Sequence, residues 1–153
     1  MSVCLLIVDP EQDFAEVLRD HLTLAWSGWT LRHASTAEAA EAALTCERFD
    51  AVVVNAAIGC DAVVGLLAGT RAIQPDCVRL VMANPETLEG PAELVSTCHR
   101  VLVEPCEPFA LCIAVEHARR LRDVLGRSGV RALGLRRTNR GSRRPTGDLL
   151  STG

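Results

Sequence analysis

The chain alternates short apolar runs with helical patterns five times, and that alternation restricts the folds open to it more than any other feature. The runs are CLLIV (4–8), WTLRHA (29–34), AVVV (51–54), VRLVM (78–82) and VLV (101–103). After the first, FAEVLRDHLTLAW places apolar residues at 14, 17, 18, 22, 25 and 26, the spacing of one helical face. After the second, with Gly28 punctuating its entry, STAEAAEAAL offers Ser35 or Thr36 as N-cap, Glu38 as an approximate capping box, and strong helix formers behind them. DAVVGLLAGTRAI (61–73) follows the third run, and a short helix is expected around 91–98 after the fourth. The last helix opens with Pro108 in its first turn and carries an apolar face through Leu111, Ala114, Val115, Ala118, Leu121 and Leu125, with Gly126 expected to end it.

Strands that alternate with helices of this length pair in parallel through right-handed crossovers. Strands so uniformly apolar are covered on both faces. The expectation is an α/β fold, a single-domain, doubly wound, five-stranded parallel sheet over residues 2–125. A chain of 153 residues, 48% apolar and 23% charged, is about right for one such domain. Open sheets of this kind place their chemistry at the carboxyl ends of the strands. The residue at the end of AVVV is Asn55, an uncharged amide that is a poor acid, base and nucleophile.

Four blocks, CLLIVDPEQDFAEVLRDHL, FDAVVVNAAIGCDAV, PDCVRLVMANPE and RVLVEPCEPFAL, occur in order and with the expected spacing. Together they resemble the receiver domain of bacterial response regulators. The resemblance covers nearly the whole of residues 1–125 and implies the flavodoxin-like (receiver) topology. In that family an aspartate after the third strand accepts a phosphoryl group. Two acids after the first strand hold Mg²⁺, and a Ser/Thr and a Lys-Pro after the fourth and fifth strands sense the phosphoryl oxygens. Matched position by position, the first acid is retained as Asp9 and its partner is Pro10. The acceptor is Asn55, the hydroxyl position is Ala83, and the lysine position is Glu104 before the retained Pro105.

Each departure has a chemical consequence. An acyl phosphate needs a carboxylate nucleophile, and the Asn55 amide is a very weak one. Mg²⁺ prefers anionic oxygen ligands, and Pro10 has no side-chain oxygen, so Mg²⁺ binding is expected to be lost. Phosphoryl transfer needs positive charge at the equatorial oxygens, where Glu104 brings negative charge. Replacing two carboxylates by Pro10 and Asn55 also lowers like-charge repulsion, in part only, because Glu104 adds an acid near Asp9. Asp50, opening the third strand, is expected at the opposite sheet edge, and Asp61 is expected to cap the third helix. The segment after the fourth strand, NPETLEGPAELVSTCH, is short for the family and broken by Gly90-Pro91. The aromatic switch position of the fifth strand is Val101. The resemblance implies a partner face here, with Val101, Val103, Leu111 and Val115 as its candidate residues.

Charge is unevenly placed. Residues 126–153 hold seven arginines (127, 131, 136, 137, 140, 143, 144) and one acid, Asp148, about +6, whereas residues 1–125 carry about −9. The chain has no lysine and no tyrosine. The segment 126–153 cannot bury enough apolar surface to offset ordering entropy and is expected to be a disordered tail. Arg136, Arg137, Arg140, Arg143 and Arg144 are its candidate anion-binding residues, for nucleic acid or an anionic surface. The tail lacks aromatics for base stacking.

The seven cysteines (4, 46, 60, 77, 98, 106, 112) form no CxxC pair and suit reduced, buried thiols; Cys60 and Cys106, beside loops, are the two to watch for reactivity. The histidines (21, 33, 99, 117) are scattered, with none at ligand spacing. Trp26 and Trp29 are expected to close the core at one end. No run is long enough to span a membrane and no secretion signal opens the chain, so a cytoplasmic location is expected. VDPEQDF is acidic where a flavin-phosphate loop would be, and GxGxxG is absent.

The reading that emerges is a stand-alone, non-enzymatic, degenerate receiver. It is expected to bind a protein partner, with a homodimer as one candidate, without phosphorylation. A phosphorelay member with altered chemistry and a binder of nucleic acid or anionic surfaces through the tail are the alternatives.

Overall fold

The computed structural model describes the backbone of residues 2–84 and 98–136, and the side chains of these residues up to Leu125. Most of the expected helix around 91–98 lies outside the described residues, as do the Gly90-Pro91 break and Arg137, Arg140, Arg143 and Arg144.

The strands are β1 (Val3–Val8), β2 (Trp29–Ala34), β3 (Ala51–Asn55), β4 (Val78–Ala83) and β5 (Arg100–Val103). The helices are α1 (Asp13–Ala25), α2 (Ala37–Cys46), α3 (Cys60–Ile73) and α4 (Pro108–Arg136). The sheet order is β2-β1-β3-β4-β5, and every neighbouring pair is parallel. This is the doubly wound fold expected from the alternation.

Burial follows position in the sheet. Every residue of β3 and β4 is buried, and β1 is buried but for the half-buried Cys4. The edge strands β2 and β5 are mostly exposed or half-buried. Because side chains alternate across a strand, Leu5, Ile7, Ala51 and Val53 face one way and pack with Leu18 and Leu22 of α1 and Leu111 and Val115 of α4. Leu6, Val8, Val52 and Val54 face the other way and pack with Ala40 and Leu44 of α2 and Leu66 and Leu67 of α3.

Local signals explain the joints. Thr36 caps α2, its hydroxyl accepting from Ala39 N–H at 3.1 Å, while Glu38 lies in the first turn. Gly28 (φ 89°) and Gly59 (φ 108°) adopt backbone conformations that L side chains avoid. Around Gly59 the space is open, so its conformation and not crowding selects glycine. Gln74, the C-cap of α3, accepts from Phe49 N–H at 2.9 Å and donates to the carbonyls of Leu44 and Glu47, binding the end of α3 to the α2–β3 loop. Trp26 and Trp29 stack tilted at 5.0 Å and pack against the core, as expected of a closure.

Two expectations about the last helix need correction. Gly126 does not end it; α4 runs to Arg136. Glycine lowers helix propensity by about 1 kcal/mol without forbidding the conformation. Leu121 and Leu125, expected on the buried face, are 54% and 60% exposed. Among the described residues, those up to Arg119 form one compact unit, and α4 from Arg120 to Arg136 belongs to a second. Among the described residues no helix is long and apolar enough to cross a membrane.

Candidate functional site

The carboxyl ends of β1, β3, β4 and β5 bring Asp9, Asn55, Ala83 and Glu104 to one edge of the sheet. The sequence expectation of a shared edge is met by register alone. β1 and β3 pair Val8 with Val54, so the next residues, Asp9 and Asn55, stand side by side. β4 and β5 pair Ala83 with Val103, and Glu104 N–H donates to the Ala83 carbonyl at 2.9 Å.

Asp9 and Asn55 are both buried, at 6% and 7% exposure. Buried polar groups must find partners, and these two find each other. Asn55 Oδ1 accepts from Ala57 N–H at 2.8 Å, which fixes the amide orientation and turns Nδ2 toward Asp9. Nδ2–H then donates to Asp9 Oδ2 at 3.1 Å. Asp9 Oδ1 accepts from Glu11 N–H at 2.9 Å. The backbone of Asp9 is tied to β2: its N–H donates to the Ala34 carbonyl at 3.0 Å, and its carbonyl lies 2.9 Å from His33 Nε2. A carbonyl only accepts, so His33 carries its proton on Nε2. Asn55 also starts the 3-10 turn Ala56–Ile58, from which Gly59 leads into α3.

The remaining expected site residues have clear positions. Ala83 is fully buried and has no polar atom. Pro10 and Pro105 are exposed, Glu104 is half-buried, and the Glu104–Pro105 peptide is cis. Among the described residues no three His, Cys, Asp or Glu side chains stand close enough together to hold a metal ion. Asp50 is at the opposite edge, accepting from Cys4 N–H at 2.7 Å. Asp61 does not cap α3: Gly59 is the N-cap, without a side-chain bond, and Asp61 lies in the first turn, where its charge still suits the helix dipole.

The candidate partner face divides. Val103 is 50% exposed and Val101 is half-buried, but Leu111 and Val115 are fully buried in the core and unavailable to a partner. On α4, Phe109 and Ile113 are 56% and 45% exposed, and the Phe109 ring lies 6.4 Å from that of His21 and 6.2 Å from that of Trp26. Helical spacing identified the apolar face correctly; only the packed sheet decides that this face is turned inward. His33 is a site neighbour that its sequence context does not announce; strand alternation on β2 was the only available signal.

Of the two thiols singled out, Cys60 is exposed, while burial pushes Cys106 above the ordinary thiol range, against its expected reactivity. Burial, with a smaller contribution from Cys106, pushes Cys112 up to about 12. All seven cysteines are free thiols.

No protein-family model matches the chain, and no curated protein matches it in sequence. Solved structures do share the fold. The crystal structure of adenylate cyclase from Rhodopirellula baltica aligns with a TM-score of 0.71 at 17% identity, over 84% of this chain and 96% of that one. A CheY-like response regulator receiver domain protein from Methanospirillum hungatei JF-1 aligns at 0.69 and 17% identity, over 80% and 98%. A response regulator protein from Burkholderia pseudomallei, solved with a phosphorylated aspartic acid, calcium ion and citrate, aligns at 0.66 and 20% identity, over 90% and 88%. The fold is that of CheY-like receiver domains.

Proposed function

We propose that this chain is a degenerate receiver that works in signalling as a protein–protein interaction module, without phosphorylation and without catalysing a reaction. The observation that carries the reading is the bond from Asn55 Nδ2 to Asp9 Oδ2. In the receiver family that the sequence resembles, the acceptor is a carboxylate and the acids after the first strand hold Mg²⁺. Here an amide occupies the acceptor position and takes up the remaining acid as its own hydrogen-bond partner.

The donor set does not suit Mg²⁺. Asp9 spends one oxygen on Glu11 N–H and the other on Asn55, and Asn55 Oδ1 is held by Ala57 N–H. Pro10 adds no ligand. Ala83 lacks the hydroxyl and Glu104 the positive charge that a phosphoryl group would require. Val103 on β5 and Ile113 on α4 stand exposed and are the apolar residues open to a partner in this region of the chain.

Intact-mass spectrometry after incubation with Mg²⁺ and acetyl phosphate tests this, beside an Asn55→Asp variant. The native chain should gain no mass. A phosphoryl adduct on any Asp or Glu of the native chain would return the protein to the phosphorelay and end this reading.

A further inference from the structure

The continuation of α4 past the expected stop at Gly126 creates a feature the sequence reading did not contain. Between Arg120 and Arg136 the helix holds five arginines, at 120, 122, 127, 131 and 136, and one acid, Asp123. With 3.6 residues per turn, Leu121, Val124, Leu125, Ala132 and Leu135 fall in one sector of about 100°. Arg120, Arg127 and Arg131 line one margin of that sector; Arg122 and Arg136 line the other. Ser128 lies inside the stripe, and Val130 and Leu133 lie outside it. Where side chains are described the stripe faces solvent: Leu121 is 54%, Val124 56% and Leu125 60% exposed. Arg122 pairs with Asp123 at 3.1 Å, leaving the segment strongly cationic even so.

Charge selects the occupant. A second copy of this helix would bring arginine margins against arginine margins. A nucleic acid would answer the arginines but leave the leucines in water, and residues 120–153 contain no aromatic to stack on bases. A shaped protein groove rewards large anchors at regular turns, and here Ser128 and Ala132 interrupt them. An anionic bilayer surface answers both halves. It admits the apolar stripe without demanding shape, while arginines on both margins reach up to the headgroups. Gly126, Gly129 and Gly134 make the segment a poor helix former alone, which suits a helix stabilised by the surface it lies on. Beyond Arg136 the sequence adds Arg137, Arg140, Arg143 and Arg144 against Asp148.

We infer that Arg120–Arg136 is an interfacial anchor that lies on anionic lipid, with Leu121, Val124 and Leu125 in the bilayer and the arginines at the headgroups. The inference is independent of whether the Asn55 pocket accepts phosphate.

The test is co-sedimentation of the full chain with vesicles of phosphatidylcholine alone and of phosphatidylcholine mixed with phosphatidylglycerol, at low and high salt. Binding should require phosphatidylglycerol and weaken with salt. A Leu121→Gln/Leu125→Gln variant, which keeps the charge, should lose about tenfold or more in partitioning. An Arg127→Gln/Arg131→Gln variant should lose the preference for anionic lipid. Circular dichroism melting of the variants should match the parent, since the leucines are exposed. Absence of binding to the anionic vesicles overturns the inference, as does full binding by the leucine variant. Tighter binding to a duplex DNA at equal salt would replace it with a nucleic-acid site. Self-association that the leucine variant abolishes, without vesicle binding, would replace it with a dimer seam.

Discussion

Asn55 holds Asp9: its Nδ2–H reaches Asp9 Oδ2 at 3.1 Å, between residues made neighbours by the pairing of Val8 with Val54. The bond links the ends of β1 and of the central strand β3, and both partners are buried. It is therefore a structural cross-link as well as the feature that separates this pocket from a phosphate acceptor.

Asn55→Asp should destabilise the fold. It replaces a buried donor by a second carboxylate oxygen beside Asp9 Oδ2, at a cost of about 1–3 kcal/mol at neutral pH. The deficit should shrink as pH falls, because a protonated carboxyl again supplies a donor. Urea denaturation of both proteins from neutral to acidic pH measures it; equal or greater stability of the variant at neutral pH would contradict the account.

Gln74→Ala should cost about 2–3 kcal/mol, since one amide serves Phe49 N–H and the carbonyls of Leu44 and Glu47. Gln74→Glu should be at least as harmful, because a carboxylate cannot donate to either carbonyl. The shift in denaturation midpoint decides; a change under about 0.5 kcal/mol for both variants would mean water replaces the amide there.

Thiol labelling should proceed in an order set by burial. Cys46 and Cys60 are exposed and should react first with a maleimide, whereas buried Cys77 and Cys112 should react only on unfolding. Peptide mapping of a time course gives the order, and early labelling of Cys112 would show that the α4 side of the core opens.

Stability should decline above the ordinary thiol range. Burial raises Cys98 and Cys106, and takes Cys112 from 9.0 to about 12. The unfolded chain releases these protons first, so stability is complete below the unfolded value. It then falls as pH rises past it, by at most about 1.4 kcal/mol per pH unit for Cys112. Denaturation at pH steps through the alkaline range should show this slope, shallower in Cys112→Ala; a flat profile would place Cys112 in water.

The alternation of apolar runs and helical patterns determined the fold class, the five strands and the sheet edge that gathers Asp9, Asn55, Ala83 and Glu104, because strand pairing and helix periodicity are local and leave their mark residue by residue. The absence of a nucleophile at position 55 was equally legible, being a matter of side-chain chemistry. Tertiary structure alone decided which way faces turn and which groups meet. Leu111 and Val115 have the same pattern whether a helix face meets a sheet or a partner, and only packing turned them inward. The Asn55–Asp9 bond required the β1–β3 register. The continuation of α4 past Gly126, and with it the arginine-rimmed stripe, escaped sequence reasoning because glycine lowers helix propensity without forbidding the helical conformation.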